Sequence, residues 1–227
     1  MMNDFDLFCS KKGISDETKN YINNSIRYSE PSRRVQSGKG NVRGFYSSKK
    51  MGLTIQFESH TLELCGIYLM EFDKTVYEFY DQPEGFTINY IIDGKNRGHR
   101  YTADFFVISE DFIGWEEWKT EKELSKKIEE SPERYCLDEN GQWRCPPAEE
   151  FAKKKGLSFR IRCSNEINWN LQNNIRFLED YLLEENPTVS LTSRNIILNY
   201  VQSTPNITLD DLLSIKNASF TADDIYK

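Results

Sequence analysis

The stretch RYTADFFVISEDFIGWEEWK, residues 100–119, limits the fold more than any other part of this chain. Phe, Val, Ile and Trp recur on both sides of SEDF, the pattern of two antiparallel strands joined by a tight turn. With Glu110 and Asp111 at the tip, Asp104 lies directly opposite Glu117. Opposed residues share a face, with Cβ atoms ~4.5–5.5 Å apart. Lys119, two positions on, joins that face, while Glu116 and Trp118 point the other way. Glu116 is therefore expected to be dispensable to anything Asp104 and Glu117 do together. The register depends on the turn, and a one-residue slip would reverse every face.

Two facing carboxylates repel, so something must offset their charge. Lys119 alone would make a surface ion cluster. A divalent cation would make a metal site, since Mg²⁺ takes hard oxygen ligands and uses one or two carboxylates with water and phosphate. Thr102, Asp104, Phe106 and Ile108 share one face, which embeds the acid among apolar neighbours. A third carboxylate, Glu63, sits in SHTLELCGIYLMEFD, where Leu62, Cys65, Leu69 and Phe72 recur at helical spacing and predict a helix between residues 60 and 72. Glu58 in FESHTLE takes the place of Glu63 if the helix phase shifts. His60 reads either as a base or, more simply, as a helix-start surface group. Glu121 and Glu123 are expected on a solvated helix face, and Arg160 and Arg162 either on phosphate or on the surface.

The net charge of −7 argues against nucleic acid taken globally, but its distribution is uneven. PSRRVQSGKGNVRGFYSSKK, residues 31–50, carries Arg33, Arg34, Lys39, Arg43, Lys49 and Lys50 and no acid. It reads as a DNA-binding arm or as a solvated flexible segment. Five cysteines at scattered spacings and two histidines, without a CxxC pair, give neither a zinc site nor a disulfide framework. No stretch is long and apolar enough for a membrane span, and the N-terminus lacks the apolar run of a signal peptide. A reducing cytoplasm is the expected compartment.

Helices are predicted at 15–28, with Ser15 as cap, and in TEKELSKKIEES, CPPAEEFAKKKG and NEINWNLQNNIRFLEDYLLEE. Strands are predicted in TVYEFYDQP, on both sides of the turn DGKNRG, and in LSFRIRC. This order predicts an α/β fold with a central mixed sheet flanked by helices. The expected division is an N-terminal helix and basic arm (1–50), a catalytic domain (51–184) and a small C-terminal helical, winged-helix-like segment (185–227). That segment ends as a capped helix begins, which suggests a trimmed chain.

An acid on a helix, followed by an Asp and a Glu-x-Lys on a hairpin, is the arrangement of the restriction-endonuclease-like nucleases, often written PD-(D/E)xK. Here Ala103 replaces the proline. The context LELCGIYLMEFDKTVYEFYDQP, INYIIDGKNRGHRYTADFFVI, EEWK and KKKGLSFRIRCSNEINWNLQNNIRFLEDYL resembles the TnsA family, the endonuclease subunit of heteromeric cut-and-paste transposases. The likeness runs from residue 45 to 182. It implies a nuclease dependent on Mg²⁺, with Mn²⁺ able to substitute, that cuts the 5′ strands at transposon ends. It also implies a TnsB-type transposase and a TnsC-type AAA+ ATPase as partners. Carried over, Glu63, Asp104, Glu117 and Lys119 are the catalytic set. Glu63, Asp104, Glu117 and the Trp118 backbone carbonyl are the metal ligands, and Gln82 of the QP pair is a supporting residue. The C-terminal helices match the family's partner-contacting part. A nuclease fold kept only as an adaptor, and a stand-alone restriction or repair nuclease, are the competing readings.

Overall fold

A computed structural model describes residues 4–32, 43–184, 187–215 and 218–227. The described chain forms two compact units, 1–168 and 169–227.

The first unit is organised around a four-stranded mixed sheet. Its strands are β3 (Val76–Asp81), β6 (Phe105–Ser109), β7 (Ile113–Lys119) and β10 (Ser158–Cys163), in the order β10-β7-β6-β3. β6 pairs antiparallel with both β3 and β7, and β10 runs parallel to β7. Phe105 pairs with Glu116, Phe106 with Trp115 and Val107 with Gly114. This is the register read from the sequence, and Ser109 and Phe112 close the turn through a 2.8 Å N–H···O bond.

Because side chains alternate, Trp115 and Trp118 lie on opposite faces of β7 and each anchors one layer. Trp115 is fully buried and contacts Phe106, Phe86, Phe151 of α5 (Pro146–Lys154) and Tyr21 of α2 (Asp16–Ile22), with ring centroids 5.1–6.0 Å apart. Trp118 meets α3 (Glu63–Phe72) at Gly66, where a Cβ would lie 2.8 Å from the indole. α3 is apolar nearly all round, with Leu64, Cys65, Ile67, Tyr68 and Met70 buried, as a helix covering a sheet must be. Gly114 is needed for a different close approach. A Cβ there would stand 1.8 Å from the Ser158 carbonyl oxygen and would part β7 from β10.

Two small antiparallel sheets flank this core. β1 (Gly44–Ser48) and β2 (Leu53–Phe57) form a hairpin whose turn docks on the C-terminus of α3. There Lys50 Nζ donates to the Met70, Asp73 and Val76 carbonyls at 2.5–2.9 Å, and the Glu71 carboxylate accepts from Lys50 N and Ser48 Oγ. β4 (Phe86–Ile92) and β5 (Lys95–Tyr101) form a second hairpin with Asp93 and Gly94 at its tip. Both tip residues have positive φ, 51° and 72°, as a two-residue primed turn requires. The expected turn DGKNRG is thus two residues long, and its last four residues belong to β5. The chain then breaks at 102–104, so that β5 and β6 lie in different sheets rather than in one long strand.

α1 (Phe5–Lys12) and the β1–β2 hairpin were not anticipated; α2 was, and Ser15 Oγ caps it by accepting from Thr18 N. α2 continues into a π-turn, Asn23–Arg27, which delivers Arg27 to the sheet. Arg27 Nε and Nη2 bind the two Glu78 oxygens at 2.9 and 3.0 Å, and Tyr80 OH donates to Glu78 at 2.6 Å. α4 (Glu121–Glu130) begins with a Thr120–Glu123 capping box, and Glu121 and Glu123 are both exposed. The short pair β8 (Cys136–Leu137) and β9 (Trp143–Arg144) surrounds the predicted LDENGQWR turn, and all five cysteines are free.

The second unit consists of α6 (Trp169–Leu182), α7 (Leu191–Ser203), α8 (Leu209–Leu213) and α9 (Ala222–Tyr226), with no strand among its described residues. α6 lies in this unit, whereas the sequence reading ended the catalytic domain at 184. The reason is local: Phe177 and Tyr181 pack on Tyr226, and Tyr181 OH donates to Asp223 at 2.8 Å. Among the described residues, no helix is long and apolar enough to cross a membrane.

Candidate active site

Asp104 stands at the bend where the chain enters the central sheet, and two backbone amides hold it. Its carbonyl accepts from Gln82 N at 2.9 Å, and its Oδ2 accepts from Trp118 N at 2.7 Å. Gln82 is fully buried with a positive φ of 44°, a backbone conformation that persists only where surroundings enforce it. Its backbone N–H therefore fixes the Asp104 peptide.

β7 supplies Glu117 and Lys119. Lys119 Nζ forms an ion pair with Glu117 Oε1, lies 3.9 Å from Asp104 Oδ2, and donates to the Trp118 carbonyl at 3.3 Å. Glu117 Oε2 is buried and accepts no hydrogen bond. α3 supplies Glu63 as its first residue, where the helix N-terminus favours an acid. Glu63 Oε2 accepts from Glu58 N at 2.9 Å. Both candidates for the helix acid thus lie side by side, Glu63 through its carboxylate and Glu58 through its amide.

All three carboxylates are buried, with 8%, 6% and 5% exposure for Glu63, Asp104 and Glu117. Burial, followed by the charges of Glu58 and Glu117, pushes Glu63 up to about 7 against the pull of the Glu58 amide and Lys119. Burial and the charges of Glu117 and Glu63 push Asp104 well above the usual carboxylate range, although Lys119 and the Trp118 amide oppose this. Burial works against the Lys119 ammonium, but Asp104 and Glu117 outweigh it and keep it charged.

Asp104, Glu117 and Lys119 therefore converge, with Glu63 close enough to be felt electrostatically. Among the described residues, no three His, Cys, Asp or Glu side chains stand at metal-ligating spacing, and Glu63 spends one oxygen on the Glu58 amide. The donor set nonetheless suits a hard divalent ion: every group is an oxygen, the carboxylates repel, and Glu117 Oε2 is buried without a partner.

Glu116 does face away, but it is not idle. It is 1% exposed, accepts from Trp118 Nε1 at 2.7 Å and Arg160 Nε at 2.6 Å, and lies 3.8 Å from Arg162. Arg160 and Arg162 are accordingly tied to Glu116 and Glu166 rather than free for phosphate. His60 packs edge-on against Phe57.

Of the expected DNA-binding residues, Arg33, Arg34 and Lys39 lie outside the described residues. Arg43 and Lys49 are exposed. Lys50 is a correction: its ammonium is taken up by three backbone carbonyls at the end of α3, and burial lowers its pKa despite Glu71 and Asp73. A basic neighbourhood that the sequence reading missed lies nearer the acids. Lys127 is within Coulombic range of Lys119 and Glu117, and Arg134 of Lys127.

No curated protein matches the chain. Over residues 73–164, which include Asp104, Glu117 and Lys119 but not Glu63, the chain matches the family described as TnsA-like endonuclease N terminal.

Proposed function

We propose that the chain is a metal-dependent DNA endonuclease that cuts the 5′ strands at transposon ends, working with a TnsB-type transposase and a TnsC-type ATPase. The observation that carries the reading is the convergence of two buried carboxylates and a lysine, Asp104, Glu117 and Lys119, inside the TnsA-like span. Mg²⁺ or Mn²⁺ would be held by Asp104 and Glu117, with Glu63 and the Trp118 carbonyl completing the set. When bound, such an ion neutralises phosphate charge and lowers the pKa of a coordinated water.

The remaining chemistry belongs to the chain. Lys119 presents a permanent cation where charge develops on a phosphate oxygen or where a water must be oriented. The Trp118 amide aims Asp104, and Gln82 fixes the peptide behind it. The burial of Glu63, Asp104 and Glu117 keeps bulk water from screening these charges.

The test is strand cleavage by the reconstituted transposase. Asp104→Ala should lose 5′-strand cutting by at least 100-fold while 3′-strand cutting by the partner persists. Wild-type 5′ cutting by that variant would sink the reading and favour an adaptor.

A further inference from the structure

The β4–β5 hairpin leaves most of its length exposed. Residues 91–100 are all exposed, although they form an intact two-stranded sheet. Its root is anchored, with Phe86, Ile88 and Tyr101 buried. Seven residues per strand give a ribbon roughly 24 Å long at ~3.4 Å per residue, about half of it projecting. Lys95, Arg97 and Arg100 stand on it against one acid, Asp93, in a chain of net charge −7. None of the three cations forms an ion pair among the described residues. Ile91 and Ile92, at the tip, are 63% and 37% exposed.

The register places Ile92 and Lys95, Tyr90 and Arg97, and Ile88 and His99 on one face. That face continues into more positive charge. The Arg134 guanidinium lies over the Tyr90 ring at 5.6 Å, and Lys127 and Arg134 both lie over Tyr135, at 4.9 and 5.6 Å. Lys127 in turn is felt by Lys119. The acids beside this row are Glu117 and Glu123, near Lys127, and Glu133, 3.8 Å from Arg134 Nε. A line of cations therefore runs from the ribbon to the lysine of the candidate site. A surface row of one sign attracts counter-ions, and a polyanion supplies many of them at once.

We propose that the β4–β5 ribbon is a duplex-DNA grip that enters the major groove, with Lys95 and Arg97 on flanking phosphates and Lys127 and Arg134 carrying the contact toward the site. The proposal rests on the nuclease reading for its partner. The width fits, since a major groove ~12 Å across admits a two-stranded β-ribbon. Thr87, Asn89 and Asn96 offer hydrogen bonds on the second face, and Ile91 gives the tip an apolar contact. Double-stranded DNA is the occupant favoured over an acidic protein because the cations are spread along a projecting ribbon and lead to carboxylates suited to a phosphodiester.

The experiment measures binding of the full chain to a fluorescein-labelled 20-base-pair duplex by anisotropy, without divalent ions and across a salt series. Lys95→Glu combined with Arg97→Glu, both on exposed positions, should weaken binding at least 10-fold at low salt. The slope of log K against log salt should fall by about 0.9 for each lost contact. Ile91→Ser should weaken binding a few-fold with the slope unchanged. Equal affinity of the double variant and wild type, no binding by wild type at the lowest salt, or equal competition by polyglutamate of matched charge each overturns the proposal. Asp104→Ala separates the two readings: it should bind DNA like wild type yet fail to cut. Unchanged binding by the ribbon variant beside a cutting defect in Asp104→Ala rejects the ribbon and spares the nuclease.

Discussion

Glu63→Gln should make the ion-free protein more stable, and by an amount that depends on pH. Glutamine keeps the oxygen that accepts the Glu58 amide and removes only the charge. In the wild type, burial and neighbouring acids raise Glu63 from the ordinary 4.5 to about 7. Between those values the folded protein keeps a proton that the unfolded chain has lost, so stability falls as pH rises through this window. The shift corresponds to a penalty on the order of 3 kcal/mol once Glu63 is ionised in both states. The gap between variant and wild type should therefore be near zero at pH 4 and reach roughly 3 kcal/mol above pH 8. At roughly 2–4 °C per kcal/mol for a chain of this size, the melting temperatures should diverge by about 6–12 °C. Thermal melts in chelator across pH 4–8.5 measure it directly. Repeating them in Mg²⁺ or Mn²⁺ should raise the wild type more than the variant, since an ion that binds only the folded state stabilises it. A gap that stays constant with pH, or a wild type more stable at pH 8.5, would refute the claim that Glu63 is held in a repulsive, buried setting.

Three other substitutions separate framework from chemistry. Glu116→Gln should cost about 1.5–3 kcal/mol by weakening its bonds to Arg160 and the Trp118 indole, while the response of the melt to divalent ions stays as in wild type. Glu78→Ala leaves Arg27 buried and unbalanced, and urea denaturation should show a loss of about 3–5 kcal/mol. Lys50→Met removes the donor that closes the end of α3 and should lower stability by about 1–3 kcal/mol. In the duplex titration it should leave the salt slope unchanged, because its ammonium contacts backbone rather than phosphate.

What the sequence revealed about this site follows from which interactions are local. The β6–β7 register was legible because SEDF permits one compact turn and the apolar residues on each side must then face inward together. The helices with a capping residue or an initial proline, such as α5, were legible for the same local reason. The break at 102–104 was not. Tyr101 and Phe105 alternate like one strand, and the bend between them depends on Gln82 and Trp118, about 20 and 14 positions away. Lys50 shows the same limit. As one charge in a basic run it looked like a phosphate ligand, yet three carbonyls 20 to 26 residues on claim it. Glu116 makes the point most sharply. Alternation gave its direction correctly, away from Asp104 and Glu117, and direction suggested that it was dispensable. On a strand between two neighbours, however, the far face is also interior. A carboxylate there must be paired, and Arg160, 44 residues distant, pairs it. Periodicity assigns a side chain to a face, but the worth of that face depends on what the rest of the chain lays against it.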